Sequence, residues 1–173
     1  MNDALDSIRQ HLRERLGAGH DLTPAEMGAL ADDLAAHPAL WREFVRHSDD
    51  ERVYTQIFRD HNLDVWLICW SGDQDTGLHD HDLSSGAVRV VEGELAEDRL
   101  VFGRGFDTTT YGPGETFCFD ATRIHDVRHA GDAPTVSLHL YSPPIWRMGY
   151  YEVDEDGRVA RRSASYAEEL QAS

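Results

Sequence analysis

The feature that most constrains the fold is a series of short apolar segments, interrupted by turn residues, that begins at Val53. Glycine and proline mark most interruptions, including Gly93, Gly112-Pro113-Gly114 and Pro143-Pro144. Many short strands at close, even spacing are typical of a double-sheet barrel or jelly roll. The predicted strands are Val53–Phe58, Val65–Trp70, Ala87–Glu92, Glu94–Phe102, Thr108–Tyr111, Thr116–Phe119, Asp126–Arg128, Val136–Tyr141 and Met148–Val153.

The N-terminal residues, 1–48, predict α-helices instead. Leucine and isoleucine recur at helical spacing between Leu5 and Leu16. The segment Thr23-Pro24-Ala25-Glu26 is a capping box with proline at the first helical position, so it begins a second helix. Pro38 begins a third predicted helix, and the polar stretch after Arg161 predicts a short helix or a loose tail.

Length and charge narrow the class of protein. We expect one domain over residues 1–173, with the helical part at 1–48 and the β-barrel at 53–163. The formal net charge of −16 argues against a nucleic-acid partner, since phosphates require a basic surface. No apolar run is long enough to cross a bilayer and no signal pattern is present, so we expect no membrane association and a cytoplasmic location.

The two cysteines predict neither a disulfide framework nor a metal or redox pair. Cys69 and Cys118 both lie in apolar, strand-like segments. Free cysteine is among the most buried residue types, so both are expected to be core thiols.

His79-Asp80-His81 is the motif that points to chemistry. Side chains alternate across a strand, so two histidines at this spacing project to the same face, where imidazoles suit a transition metal. The alternative is a pair of surface histidines in an acidic loop. Gly86 and Gly93 follow the pair, and His125 opens a later strand after the glycine-proline-glycine turn, an order that resembles the two cupin motifs.

The cupin resemblance lacks one metal ligand, a glutamate. Most cupins place a glutamate four or five residues after the second histidine, whereas this chain has Ser85 and Gly86 there. A three-histidine site keeps coordination positions open, and iron with open positions admits both a substrate and dioxygen.

The sequence also resembles the cysteine dioxygenase family of thiol dioxygenases over Val53 to Pro144. The segments that carry the resemblance are Leu67-Ile68-Cys69-Trp70, His79-Asp80-His81 and Ser137-Leu138-His139-Leu140-Tyr141-Ser142-Pro143-Pro144. It implies a cupin barrel in which His79, His81 and His125 bind iron(II). It further implies an outer hydrogen-bond relay through Ser137 and His139 to the Tyr141 hydroxyl.

The spacing of this relay agrees with the resemblance. Residues 137, 139 and 141 share one strand face, so a hydroxyl, an imidazole and a phenol can line up. The alternative is three polar side chains packed inside a barrel with their polar ends satisfied.

Two departures from the family bear on the substrate. Some members carry, at the position of Gly86, a cysteine that crosslinks to the tyrosine, so no crosslink is expected here. The arginine that binds the cysteine carboxylate falls on Gln56, close to Tyr54, and an amide cannot make the two-pronged contact of a guanidinium. Arg147 and Asp82 are further candidates for substrate contacts, with surface ion pairing as the alternative for Arg147 and solvation for Asp82.

The predicted function is therefore addition of both atoms of O2 to the sulfur of a small thiol or thione other than cysteine. Candidate substrates are a 3-mercaptopropionate-like thiol and an imidazole thione such as ergothioneine. The alternatives are a metal-dependent cupin isomerase or hydrolase and a non-catalytic, ligand-sensing cupin. A monomer or a small homo-oligomer is compatible with the sequence.

Overall fold

A computed structural model of the chain describes residues 2–17, 19–154, 156 and 158–165. Two helices come first, α1 (Asn2–Arg15) and α2 (Pro24–Ala35). The predicted capping box at the start of α2 is confirmed, because Thr23 and Glu26 exchange side-chain and backbone hydrogen bonds. Within the described part of the chain, no helix is long and apolar enough to span a membrane.

The predicted third helix is wrong. Two short 3₁₀ turns, Pro38–Leu40 and Arg42–Phe44, replace it. The fully helical path is interrupted at Trp41, whose indole N–H turns back to donate to the Leu34 carbonyl near the end of α2. Trp41 and Phe44 are buried and belong to the hydrophobic core beneath the helices.

In the described part of the chain, eleven strands follow and form two antiparallel sheets, which confirms the mainly β, double-sheet prediction. The five-stranded sheet has the order β1-β2-β9-β4-β7, and the six-stranded sheet has the order β11-β10-β3-β8-β5-β6. The strands are β1 (Val53–Arg59), β2 (Asp64–Trp70), β3 (His79–Asp80), β4 (Ser85–Glu92), β5 (Glu94–Val101), β6 (Gly105–Tyr111), β7 (Thr116–Phe119), β8 (His125–Ala130), β9 (Thr135–Ser142), β10 (Arg147–Val153) and β11 (Val159–Ser165).

Strand β11 corrects the prediction for the stretch after Arg161. Residues up to Ser165 pair with β10 in a regular antiparallel register, so they are neither a helix nor a tail. The remaining residues, 166–173, lie outside the described part of the chain.

The core has two layers because β2 and β9 are covered on both faces. Val65, Leu67 and Cys69 of β2 pack with the helices, while Trp66, Ile68 and Trp70 face the interior of the barrel. Strand β9 alternates in the same way, and all eight of its residues are buried. The side chains at 137, 139 and 141 therefore point into the barrel.

Cysteine burial is as predicted at one position and not at the other. Cys69 is buried, and its sulfur accepts a hydrogen bond from the Arg46 backbone N–H at 3.4 Å. Cys118 is exposed, because it alternates with the inward-facing Phe117 and Phe119 on β7 and thus lies on the outer face of the sheet.

Candidate active site

Three buried histidines converge inside the barrel. His79 on β3 is the cross-strand partner of His125 on β8, and His81 follows directly after β3. One ring nitrogen from each histidine lies within 4.8 Å of the others. The structure thus brings together the three histidines that the sequence singled out, on or directly after two neighbouring strands of the six-stranded sheet.

In two of the three rings, a hydrogen bond fixes which nitrogen faces the centre. His79 Nδ1 lies 2.8 Å from the Gly77 carbonyl oxygen, which can only accept, so Nδ1 carries the proton. His125 Nδ1 donates in the same way to the Glu97 carboxylate at 2.7 Å. The Nε2 atoms of His79 and His125 are therefore left as acceptors with lone pairs available for a metal.

The free lone pairs fit a divalent transition metal. Burial lowers the pKa of His79 to about 3 and lowers the pKa of His81, so both rings are neutral at pH 7. The Nε2 atoms of His79 and His81 lie only 3.2 Å apart, and the buried Nε2 of His125 has no hydrogen-bond partner. A shared cation would give the buried Nε2 of His125 a partner, and imidazole suits iron, zinc, copper and nickel.

Glu97 is a functional candidate that the sequence analysis missed. It is 3% exposed and accepts hydrogen bonds from both His125 and Arg123. Burial would raise the pKa of Glu97, but the hydrogen bond from His125 and the charge of Arg123 outweigh burial and lower it. Glu97 lies on the inward face of β5 with Leu95, and an acid on the same face as a core leucine was the signal that could have identified it.

The polar residues of β9 form a continuous hydrogen-bonded chain. Trp70 Nε1–H donates to Ser137 Oγ at 2.9 Å, Ser137 Oγ lies 2.8 Å from His139 Nε2, and His139 Nδ1 lies 3.1 Å from the Tyr141 hydroxyl. All four side chains are buried. The predicted alignment of hydroxyl, imidazole and phenol is present, and Trp70 extends it by one residue.

The direction of this chain follows from the available donors. The buried Ser137 hydroxyl accepts from Trp70, so its own hydrogen is satisfied by donating to His139 Nε2. His139 Nδ1–H then donates to the Tyr141 oxygen, which leaves the Tyr141 O–H free to point into the barrel. Burial lowers the pKa of His139 to about 3 and raises the pKa of Tyr141, so the imidazole is neutral and the phenol stays protonated.

A cavity opens beside the three histidines, and its wall combines polar groups with an apolar and aromatic surface. His79, His125, His139 and Tyr141 all contribute to it. A substrate in this cavity would contact two of the three converging histidines and the end of the relay. The other lining residues are Arg52, Tyr54, Trp66, Ile68, Thr76, Val88, Val127, Ile145, Met148 and Tyr150.

The four candidate substrate-binding residues occupy different places. Tyr54 lines the cavity, whereas Gln56, Arg147 and Asp82 do not. Gln56 donates its amide hydrogen to the buried Asp64 carboxylate at 2.8 Å. Arg147, 62% exposed, forms an ion pair with Asp82 at 3.3 Å, so these two residues meet each other outside the cavity.

Arg52 lines the cavity and was not identified from the sequence. It precedes β1 and shares the alternation of residues 52, 54 and 56, so it could have been grouped with Tyr54 and Gln56. The family motif includes position 56 and does not extend to position 52.

Comparison with known proteins decides the family. Residues 8–153 match the family described as cysteine dioxygenase type I. The chain belongs to this family. It is 25% identical to the cysteine dioxygenase type 1 of Bos taurus over 143 residues, which cover 76% of this chain and 70% of the bovine protein.

Solved structures support the cupin fold of this family member. A conserved Klebsiella pneumoniae protein with a double-stranded β-helix domain matches 69% of this chain and 91% of its own length, with a TM-score of 0.52 and 17% identity. A cupin superfamily protein from Desulfitobacterium hafniense matches 59% of this chain and 86% of its own length, with a TM-score of 0.51 and 9% identity. At these identities the likeness bears on the fold alone.

Proposed function

We propose that this chain is an iron(II)-dependent thiol dioxygenase. It adds both oxygen atoms of O2 to the sulfur of a small thiol or thione, so that a thiolate R–S⁻ and O2 give the sulfinate R–SO2⁻. The observation that carries the proposal is the convergence of His79, His81 and His125 beside a cavity that His79, His125 and Tyr141 line. Membership of the cysteine dioxygenase family supports the same chemistry.

The protein residues divide the work between holding the metal and handling the substrate. His79, His81 and His125 hold the iron, which when bound supplies a site where sulfur and dioxygen meet. Three imidazole nitrogens, with no carboxylate in the cluster of described residues, would leave positions for both reactants. Tyr141 presents its protonated hydroxyl to the reacting atoms, and His139 and Ser137 hold that hydroxyl in place.

The substrate of this proposal is a thiol other than cysteine. Gln56 stands where the family resemblance places a carboxylate-binding arginine, and its amide is bonded to Asp64. A neutral amide engaged with a buried acid cannot replace a guanidinium as a bidentate partner for a carboxylate. Tyr54 remains in contact with the cavity and is proposed to shape the substrate site.

Oxygen consumption by the iron(II)-loaded protein tests this function. The panel consists of cysteine, 3-mercaptopropionate, cysteamine, mercaptosuccinate and ergothioneine, and the sulfinate is detected by mass. Uptake of one O2 per thiol consumed is the expected result. Turnover without oxygen uptake would indicate an isomerase or hydrolase, and tight binding without turnover would indicate a sensing protein; either result contradicts the proposal.

Tyr141→Phe tests the role of the relay. The variant is expected to retain the metal, because Tyr141 is not one of the converging histidines, and to slow turnover about 10- to 100-fold, as for loss of one hydrogen bond to the reacting atoms. Metal content and oxygen-uptake rates are measured on the same preparation. Normal turnover would rule out the role assigned to this hydroxyl.

A further inference from the structure

The charge of the cavity wall is one-sided. Arg52 lines the cavity, and no aspartate or glutamate of the described residues does. A guanidinium stays protonated at any physiological pH. A bound substrate therefore meets a fixed positive charge and, among the described lining residues, no negative charge to pair with an ammonium group.

Arg52 is held in place without being neutralised. Its guanidinium lies over the Trp70 ring, 5.1 Å from the ring centroid, and one terminal nitrogen donates to the Asp75 backbone carbonyl. Its Nε is buried and has no hydrogen-bond partner, and among the described residues no carboxylate forms an ion pair with Arg52. A carboxylate bound in the cavity would supply the negative partner that the guanidinium lacks among the described residues.

Arg52 also lies close enough to the relay to affect its electrostatics. Trp70, beneath the guanidinium, stacks near His139 at 6.0 Å between ring centroids and donates to Ser137. Burial is the main cause of the lowered pKa of His139, and the charge of Arg52 is the next largest contribution. A ligand on Arg52 would therefore be near the groups that face the reacting atoms.

The geometry points to Arg52 as the group that binds the carboxylate of the substrate, which makes the substrate a thiol carboxylate without an obligatory ammonium group. The inference rests on the proposed dioxygenase function and specifies its substrate class. Arg52 directly precedes β1 and shares the alternation of Tyr54, so a cation contacts the cavity although position 56 carries none. An ammonium in this cavity would be desolvated with no acidic partner.

The test compares an acid with its uncharged counterpart. The probes are 3-mercaptopropionate and 3-mercaptopropionamide, which have the same length and thiol, and oxygen uptake gives kcat/KM for each. Arg52→Met is expected to lower kcat/KM for the acid about 10- to 100-fold, the range for a hydrogen bond to a charged group. It should leave kcat/KM for the amide within a few fold of the wild-type value. The preference for acid over amide then collapses.

Two further variants control this comparison. Arg42 also lies over a tryptophan, 5.9 Å from the Trp41 ring, but it is exposed and pairs with Glu92 outside the cavity, so Arg42→Met should keep the preference for acid. Arg52→Lys keeps the charge and loses the planar fork, so it should give an intermediate preference even if Arg52→Met folds poorly. An acid-to-amide ratio equal to wild type in both Arg52 variants would overturn the inference.

Failure of the reaction can be separated from failure of the anchor. If the wild type consumes no oxygen with either probe, the proposed function fails, and anaerobic calorimetry of the metal-loaded protein then tests Arg52 directly. Binding of 3-mercaptopropionate that is weakened at least 10-fold by Arg52→Met, with amide binding unchanged, supports the anchor. Equal binding of the acid by variant and wild type refutes it.

Discussion

Replacing Glu97 by glutamine tests how much the hydrogen-bond partner of His125 contributes to metal binding, separately from the three histidines themselves. Glu97 accepts from His125 Nδ1 at 2.7 Å and from Arg123 at 2.9 Å, and it is almost fully buried. Glutamine has the same shape and can still accept one hydrogen bond, but it removes the negative charge. The tautomer and basicity of His125 are then less firmly set.

The expected cost to metal binding follows from that geometry. Outer partners of ligating histidines change metal affinity about 10- to 100-fold when they are replaced, and Glu97 supports one of the three ligands. We therefore expect a loss of about 1.4 to 2.8 kcal/mol in binding free energy, at about 1.4 kcal/mol for each tenfold change. His125→Ala, which removes the ligand itself, should lose more.

Competition with a chromogenic chelator measures the affinity for iron(II) under anaerobic conditions and for cobalt(II) in air. Glu94→Gln is the matched control, because Glu94 lies on the same strand but is exposed. It should bind metal as tightly as the wild type. Equal affinities of Glu97→Gln, Glu94→Gln and wild type would refute the assignment of Glu97 as the residue that orients His125.

Two further predictions concern stability. A Cβ at Gly86 would overlap the Phe119 ring, with Cε2 at 2.7 Å, so Gly86→Cys should lower the free energy of unfolding by about 1–3 kcal/mol. The variant should also form no thioether to Tyr141, which its intact mass would show. A thioether in this single variant would contradict the prediction. Asp80 receives two hydrogen bonds from Arg161. Burial would raise the pKa of Asp80, but these bonds lower it to about 2. The contribution of Asp80 to the stability of the fold is therefore complete above pH 4 and is lost as pH falls toward 2. In urea unfolding of the metal-free protein, Asp80→Asn should cost about 1.5–3 kcal/mol at pH 6 and progressively less below pH 4, and a pH-independent difference would contradict this.

The sequence predicts the barrel well where the pattern is local. Alternating apolar residues and turn glycines identify most strands, since each signal lies within a few residues. Strand β3 has only two residues and β11 carries Arg161 and Arg162, so neither has the apolar alternation of a strand. Their pairing with β10 depends on tertiary contacts, among them the ion pair between Arg161 and Asp80.

Within the candidate site, too, the residues brought together by local spacing are predictable from the sequence, and those brought together by tertiary contacts are not. His79 and His81 are adjacent in sequence, and the β9 residues lie on one strand face, so spacing alone brings each set together. Glu97 meets His125 only because β5 and β8 are paired with Arg99 opposite His125, which places Glu97 diagonally across the ladder. That register depends on tertiary packing and is not encoded in any short motif.

The role of Gln56 shows a second limit of motif reasoning. The family resemblance identifies position 56 as a candidate for substrate contact, but the Gln56 amide is hydrogen-bonded to Asp64, an acid that is fully buried. Burial raises the pKa of Asp64, and the nearby Arg59 and Gln56 oppose that rise. The amide is thus engaged in satisfying a buried acid, a demand that position 56 alone does not reveal.

The charge inside the barrel is opposite to that of the chain as a whole. The net charge is −16, yet the described cavity lining includes Arg52 and no acid, and Glu97 faces His125 and Arg123 instead of the cavity. A thiolate that also carries a carboxylate complements such a cavity at both ends, with its sulfur toward the histidines and its carboxylate toward Arg52. Surface charges are screened within about 10 Å in ordinary buffers, whereas charges in a partly dry cavity act strongly at short range. Substrate choice therefore depends on where these few charges lie, and an acidic protein can select an anionic substrate.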